Sequence, residues 1–97
     1  MKSLNVIKQE IFSVKDYVKD VYNIDSLYIF GSYAREEQTE KSDVDILVDF
    51  KKTPDLLTFI EIEDFLSKKL HLNVDLVPKR KLKPQLQATI LKEAILI

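Results

Sequence analysis

The chain contains a single glycine, Gly31, and its position limits how the surrounding segment can fold. Gly31 follows the apolar run Leu27–Phe30, which is typical of a β-strand, and precedes Ser32. Glycine readily adopts a positive φ and allows another group to approach the backbone closely. A Gly-Ser turn at the end of a strand therefore predicts a site where backbone amides bind an anion such as phosphate. An isolated Gly-Ser pair is most often a plain turn, so this prediction depends on its surroundings.

Three aspartates follow at spacings that suit a metal ion. Asp43 and Asp45 lie one residue apart in the alternating segment 43–50, so both project from one face of the predicted strand. Two carboxylates about 4 Å apart repel each other by about 4 kcal/mol at an effective dielectric constant of 20. Mg²⁺ prefers oxygen ligands and would remove this repulsion. The alternative is an exposed strand face with solvated carboxylates.

Asp75 is a third candidate because it interrupts the apolar strand pattern of Val74–Val77. If this strand neighbours the strand of Asp43 and Asp45, all three carboxylates can share one face. Such a cluster suits two metal ions in the transfer of a phosphoryl or nucleotidyl group. Asp75 could also accept the proton of the attacking hydroxyl group. On its own, Asp75 is equally compatible with a structural role.

Composition excludes several classes of protein. The chain has 97 residues, a formal net charge of −1 and no cysteine, which excludes disulfide frameworks, cysteine-based zinc sites and thiol catalysis. We expect one domain over residues 1–97. No apolar run is long enough to span a membrane and no signal peptide is evident, so we expect a cytoplasmic protein.

The pattern of apolar residues predicts a small α/β (α+β) domain, with about four helices on a three-stranded mixed sheet. The short connection between the first two strands predicts an antiparallel pair, and the third strand could run parallel to its neighbour. The predicted elements are a helix capped by Ser3, strands at 27–30, 43–50 and 74–77, a short turn at 33–37, a helix starting at Thr53-Pro54-Asp55, and a helix from Pro84 with Leu86, Ile90 and Ala94 facing inward.

Together these segments resemble the minimal nucleotidyltransferases of the polymerase-β superfamily. The resemblance rests on Gly31–Arg35, Ser42–Val48 and Val74–Val77, and it extends over nearly the whole chain. It implies a polymerase-β-like nucleotidyltransferase fold with ATP as the substrate. It also implies that Gly31 and Ser32 hold the triphosphate and that Asp43, Asp45 and Asp75 bind two Mg²⁺ ions.

Two neighbouring charges bear on this site. Arg35 flanks it and is predicted to contact the nucleotide phosphates, with a solvated surface charge as the alternative. Glu36 departs from the family pattern, since many relatives have glycine after the motif arginine. We expect the Glu36 carboxylate to point into solvent, and the alternative is that an acid so close to the phosphate site weakens nucleotide binding.

The resemblance also implies a biological role. Such small proteins are typically antitoxins that transfer AMP from ATP to a tyrosine of a partner HEPN-domain ribonuclease toxin. A non-catalytic module that neutralises its partner by contact alone is the alternative. A transferase for small molecules is disfavoured, because the predicted sheet and helices leave no segment for an acceptor pocket.

A basic run, Lys79-Arg80-Lys81-Leu82-Lys83, stands apart from these motifs. It could contact RNA or an acidic partner, but it lacks interleaved aromatic residues. We therefore expect a solvated loop here and no direct binding of nucleic acid.

Overall fold

The fold alternates helices and strands along the chain. The computed structural model describes residues 1–97. The elements are α1 (Leu4–Tyr22), β1 (Ile24–Phe30), α2 (Gly31–Ala34), β2 (Val44–Phe50), α3 (Leu56–Leu70), β3 (Val74–Pro78), α4 (Pro84–Glu93) and β4 (Ile95–Leu96), with a 3₁₀ turn over Lys79–Lys81. No helix has the length and apolar composition needed to cross a membrane.

The sheet has four strands, in the order β3-β2-β1-β4. As predicted, β1 and β2 are antiparallel, and β3 runs parallel to β2. The prediction of three strands was wrong, because the sheet has a fourth. The additional strand is the two-residue β4, in which Ile95 and Leu96 pair with Ile29 and Tyr28 of β1.

One face of the sheet forms the hydrophobic core together with α1 and α3. The inward residues of β2 are Val44, Ile46, Val48 and Phe50, all buried. They meet the buried residues of α1, which follow the predicted helical spacing at Ile7, Ile11, Val18 and Tyr22. Alternation along β2 therefore directs Asp45 and Asp49 to the opposite face of the sheet.

Helix α3 begins later than the sequence predicts. Its N-cap is Asp55, not Thr53, because the Asp55 carboxylate accepts a hydrogen bond of 2.8 Å from the amide of Thr58. Both residue types are good N-caps, and the side chain that reaches a free amide determines the start. As a result Leu56 lies in the first turn, where it is 73% exposed and outside the core.

Helix α4 also differs from the prediction. Leu86 is 46% exposed rather than inward, and Ala94 follows the helix as its C-cap. The chain leaves the helix there because residues 95 and 96 pair with β1.

The outer edge of the sheet at β3 is closed by side chains of α3. The amide of Val74 donates to Ser67 Oγ at 3.0 Å, and the amide of Leu76 donates to Glu63 Oε2 at 3.0 Å. The next position on this side is Pro78, which has no amide hydrogen. These contacts block the pairing of a further strand along this edge.

Candidate active site

Gly31 brings the end of β1 against the start of β2. Its φ is +73°, a conformation that L-residues with side chains rarely adopt. A Cβ atom at this position would run into Oδ2 of Asp45 and would lie 3.0 Å from its Cγ. The close approach that glycine permits is therefore made by the Asp45 carboxyl group.

The predicted metal-binding residues lie on the face of the sheet opposite the core. Asp45 is in register with Phe30 on β1 and with Asp75 on β3. Residues in register on adjacent strands project to the same side, with strands about 4.8 Å apart. Asp43 lies in the loop one residue before β2. Asp45 is half-buried, whereas Asp43 and Asp75 are exposed.

These three carboxylates interact electrostatically. The pKa of Asp45 is raised from its usual 3.8 to about 6, first by burial and then by the negative charges of Asp75 and Asp43. Glu93 raises the pKa further, while the positive charge of Arg35 lowers it. Asp45 is thus the most buried carboxylate of an acidic group that favours a cation or a proton.

Ser32 begins the short helix that follows Gly31. Its side chain is half-buried, and its hydroxyl group makes no hydrogen bond within the chain. No side chain caps the N-terminus of this helix. The first turn of α2 therefore keeps polar groups available beside Asp45.

Arg35 is held between two acidic side chains. Its Nε lies 2.7 Å from Glu37 Oε1, and its Nη1 lies 2.9 Å from Glu93 Oε2. These two hydrogen bonds raise the pKa of the Arg35 guanidinium. The Nη2 group has no partner in the chain, so the guanidinium keeps donors for a further anion.

Comparison with known proteins identifies the family. Residues 11–97 match the family described as the nucleotidyltransferase domain. The chain belongs to this nucleotidyltransferase family. A relative from Methanocaldococcus jannaschii, named as a candidate protein adenylyltransferase, is 48% identical over 98 residues and is aligned over 100% of both chains.

Two solved structures share the fold of this nucleotidyltransferase. One is described as a candidate minimal nucleotidyltransferase, with a TM-score of 0.83, 32% identity, and coverage of 97% of this chain and 95% of the other. The second is a crystal structure of a toxin–antitoxin with AMP-PNP, with a TM-score of 0.73 and 27% identity. That alignment covers 91% of this chain and 69% of the other. The expected fold and family are therefore confirmed.

The acidic group of the nucleotidyltransferase is suited to Mg²⁺ through the chemistry of its ligands. The donors are all carboxylate oxygens, and burial and mutual repulsion already disfavour the charge on Asp45. No three acidic or histidine side chains lie close enough together to enclose an ion by themselves. Mg²⁺ is commonly bound by one or two carboxylates together with water and substrate phosphates. The residues present therefore fit a metal that binds together with a nucleotide.

The structure brings together most of the residues that the sequence singled out. The site lies where the end of β1 adjoins the starts of β2 and β3. It contains Gly31, Ser32, Asp45 and Asp75, and Asp43 lies in the loop just before β2.

Sequence reasoning missed Glu93 at the end of α4, which pairs with Arg35 and whose negative charge contributes to the raised pKa of Asp45. The signal was present in the sequence, because an acidic residue in the last turn of a helix is disfavoured by the helix dipole.

Proposed function

We propose that this nucleotidyltransferase is a protein adenylyltransferase, which transfers AMP from ATP to a hydroxyl group of a partner protein. The observation that carries the proposal is the position of Asp45. Its carboxyl group fills the space beside Gly31 in the turn, and its backbone is in register with Asp75. A phosphate-binding turn and metal-binding carboxylates would then act on the same phosphate.

Each residue of the site has a role in this proposal. The turn at Gly31 and Ser32 binds the triphosphate through backbone amides and the free hydroxyl group. Asp43, Asp45 and Asp75 would hold Mg²⁺, with two ions as the expected number. The metal would neutralise negative charge on the phosphates and on the carboxylates. Arg35 adds a guanidinium donor at the rim of the site.

The reaction needs one proton acceptor. The acceptor oxygen forms a bond to the α-phosphorus, the bond from that phosphorus to the bridging oxygen breaks, and pyrophosphate leaves. In this proposal Asp75 takes the proton of the acceptor hydroxyl, and its exposure and its register with Asp45 support that role. Its exposure leaves it within reach of a side chain that another protein presents.

The proposed acceptor is a tyrosine of a HEPN-type ribonuclease toxin, with this chain as the antitoxin. The family resemblance supports this assignment. So do the name of the relative from Methanocaldococcus jannaschii and the toxin–antitoxin structure with AMP-PNP. The open acidic face of the sheet is consistent with an acceptor supplied by another chain.

The test is to incubate the protein with the product of the neighbouring gene, ATP and Mg²⁺, and to measure intact masses. The partner should gain the mass of one or more AMP units, and peptide mapping should locate them on tyrosine. The modified partner should stay inactive after this protein is removed. The mass of the partner should not increase when the Asp75→Asn variant replaces the wild-type protein. An unmodified partner that regains activity on separation would support neutralisation by contact alone.

A further inference from the structure

A second recess lies away from the acidic group, on the helical side of the sheet. It is a cavity of about 310 Å³ between the end of β2, the start of α3 and the end of β3. Its apolar walls are formed by Val48, Phe50, Phe59, Leu76 and Pro78. Phe50 is five residues along β2 from Asp45, about 16 Å at the usual rise per residue. The recess is therefore separate from the candidate active site.

The rim of this recess carries cations that have no acidic partner. Arg80 and Lys81 line it, and Lys51 and Lys52 lie on the loop next to Phe50. None of the four lies within 4.0 Å of a carboxylate. The one acid that lines the recess is Asp55, whose carboxylate already caps α3. The rim thus has an excess of positive charge.

Arg80 is oriented by two hydrogen bonds within the chain, neither of which is to a carboxylate. Its Nη1 donates to Thr53 Oγ1 at 3.2 Å, and its Nη2 donates to the carbonyl oxygen of Phe50 at 3.4 Å. A guanidinium that is already oriented by hydrogen bonds loses less conformational entropy when it binds a carboxylate.

Large apolar side chains stand exposed beside the recess. Leu56, which lines it, is 73% exposed, and the adjacent Leu57 is 80% exposed. Exposed apolar side chains rimmed by polar or charged residues mark surfaces where a protein binds a partner or a ligand.

We propose that this recess binds an acidic segment of a partner protein, which inserts one large apolar side chain into the cavity. Carboxylates of the segment would pair with Arg80 and its neighbouring lysines, and the apolar residue would cover Leu56 and Leu57. RNA fits less well because exposed leucines give no favourable contact with phosphates. The rings of Phe50 and Phe59 also pack against each other, with centroids 6.3 Å apart, instead of being displayed for base stacking.

The test follows backbone amide signals of the isotope-labelled full chain by NMR during titration with a synthetic peptide. The probe has one phenylalanine between two pairs of glutamates, with blocked ends. The largest changes in amide chemical shift should occur in residues 50–60 and 76–82. A peptide with glutamine for glutamate, and one with alanine for phenylalanine, should each bind about 10-fold more weakly.

Variants of this chain test the same surface. Arg80→Gln and Leu57→Ser should each weaken peptide binding by about 5-fold or more. The matched controls are Lys69→Gln at the far end of α3 and Val21→Ser on α1, both at exposed positions. These controls should bind the peptide as the wild type does.

Three results would overturn the proposal. The first is an absence of shifts at millimolar peptide, and the second is a set of shifts confined to other surfaces. The third is a single-stranded oligouridine RNA that shifts the same amides at lower concentration than the peptide does. The last result would assign the surface to nucleic acid.

Discussion

Gly31 and Asp45 are in contact, since the Asp45 carboxyl group fills the space that a side chain at position 31 would occupy. The turn after β1 and the acidic face of β2 are therefore parts of one packing arrangement. A substitution at either residue changes the geometry of the other.

The first prediction concerns the turn itself. Gly31→Ala places a Cβ against the Asp45 carboxylate and forces a side chain into a φ of +73°. The strained backbone alone should lower the free energy of unfolding by about 1–3 kcal/mol, and Gly31→Val should lower it further. Ser32→Ala is the control, because it removes a hydroxyl group that has no partner in the chain. We also expect Gly31→Val to weaken nucleotide binding more than Ser32→Ala does, because a side chain at position 31 obstructs close approach to the backbone. Urea unfolding measures the stability, and calorimetric titration with ATP and Mg²⁺ measures the nucleotide affinity. A greater loss of nucleotide affinity in Ser32→Ala than in Gly31→Val would contradict the prediction.

The second prediction concerns the pH dependence of stability without metal. The pKa of Asp45 is raised to about 6, so the folded protein binds this proton more tightly than the unfolded chain. The stability that the proton provides is present at low pH and is lost as the pH rises through about 6. Asp45→Asn should therefore be more stable than the wild type at pH 7–8, by on the order of 1 kcal/mol after solvent screening. The difference should shrink towards pH 4.

Thermal unfolding in a chelator between pH 4 and pH 8 measures this effect. A gain of that size corresponds to about 4–8 °C in Tm for a domain of this length. Adding Mg²⁺ together with ATP should stabilise the wild type more than the Asp45→Asn variant, because the carboxylates bind the metal jointly with the substrate phosphates. An Asn variant that is less stable than the wild type at pH 8 would show that the carboxylate is compensated within the protein.

The third prediction separates the proposed metal ligands from a neighbouring acid. Asp43→Asn and Asp75→Asn should reduce the AMP transfer rate by about 10²-fold or more, because each removes a proposed ligand or proton acceptor. Asp49→Asn is the matched control, since Asp49 is half-buried on the same face of β2 but lies four residues from Asp45. Its rate should stay within about twofold of the wild type. Equal losses in all three variants would point to general destabilisation of the strand.

The sequence was sufficient to predict the acidic face because its signal is local. Alternation along residues 44–50 identifies the buried side of β2, and the outward positions then follow from the period of two. Asp75 could be assigned to the same face only on the assumption that its strand pairs with β2, which the register now establishes.

The features that sequence reasoning missed depend on contacts between distant residues. Two residues, Ile95 and Leu96, are too few to show alternation, and they form a strand only because the edge of β1 is free to pair. The contact between Arg35 and Glu93 joins residues 58 positions apart. The helix dipole makes an acidic residue in the last turn of α4 unusual, but no local pattern specifies that Glu93 pairs with Arg35 or that residues 95 and 96 pair with β1.

The fourth prediction concerns Glu36, the position where this chain departs from the family pattern. This residue has a φ of +57°, so glycine would fit its backbone conformation better. Glu36→Gly should raise the free energy of unfolding by about 1 kcal/mol, as the relief of a left-handed conformation predicts. The affinity for ATP should not change, because the side chain is exposed. Asn23→Gly at a φ of 55° is the control, and its gain should be smaller because asparagine tolerates this region. Urea unfolding that shows the larger gain at position 23 would contradict this explanation.

The final prediction distinguishes the two acidic partners of Arg35. Both Glu37 and Glu93 pair with the guanidinium, but only Glu93 is among the charges that raise the pKa of Asp45. Glu93→Gln removes that negative charge and leaves more of the positive charge of Arg35 to act on Asp45. Both changes lower the pKa of Asp45. Glu37→Gln is the matched control, because it leaves the pair between Arg35 and Glu93 in place. Carboxyl ¹³C chemical shifts of Asp45, followed by NMR from pH 4 to pH 8 without metal, should show a larger decrease of the Asp45 pKa in Glu93→Gln than in Glu37→Gln, because both variants release Arg35 but only Glu93→Gln also removes a negative charge that acts on Asp45. An equal change in both variants would show that Arg35, and not Glu93, transmits the effect to Asp45.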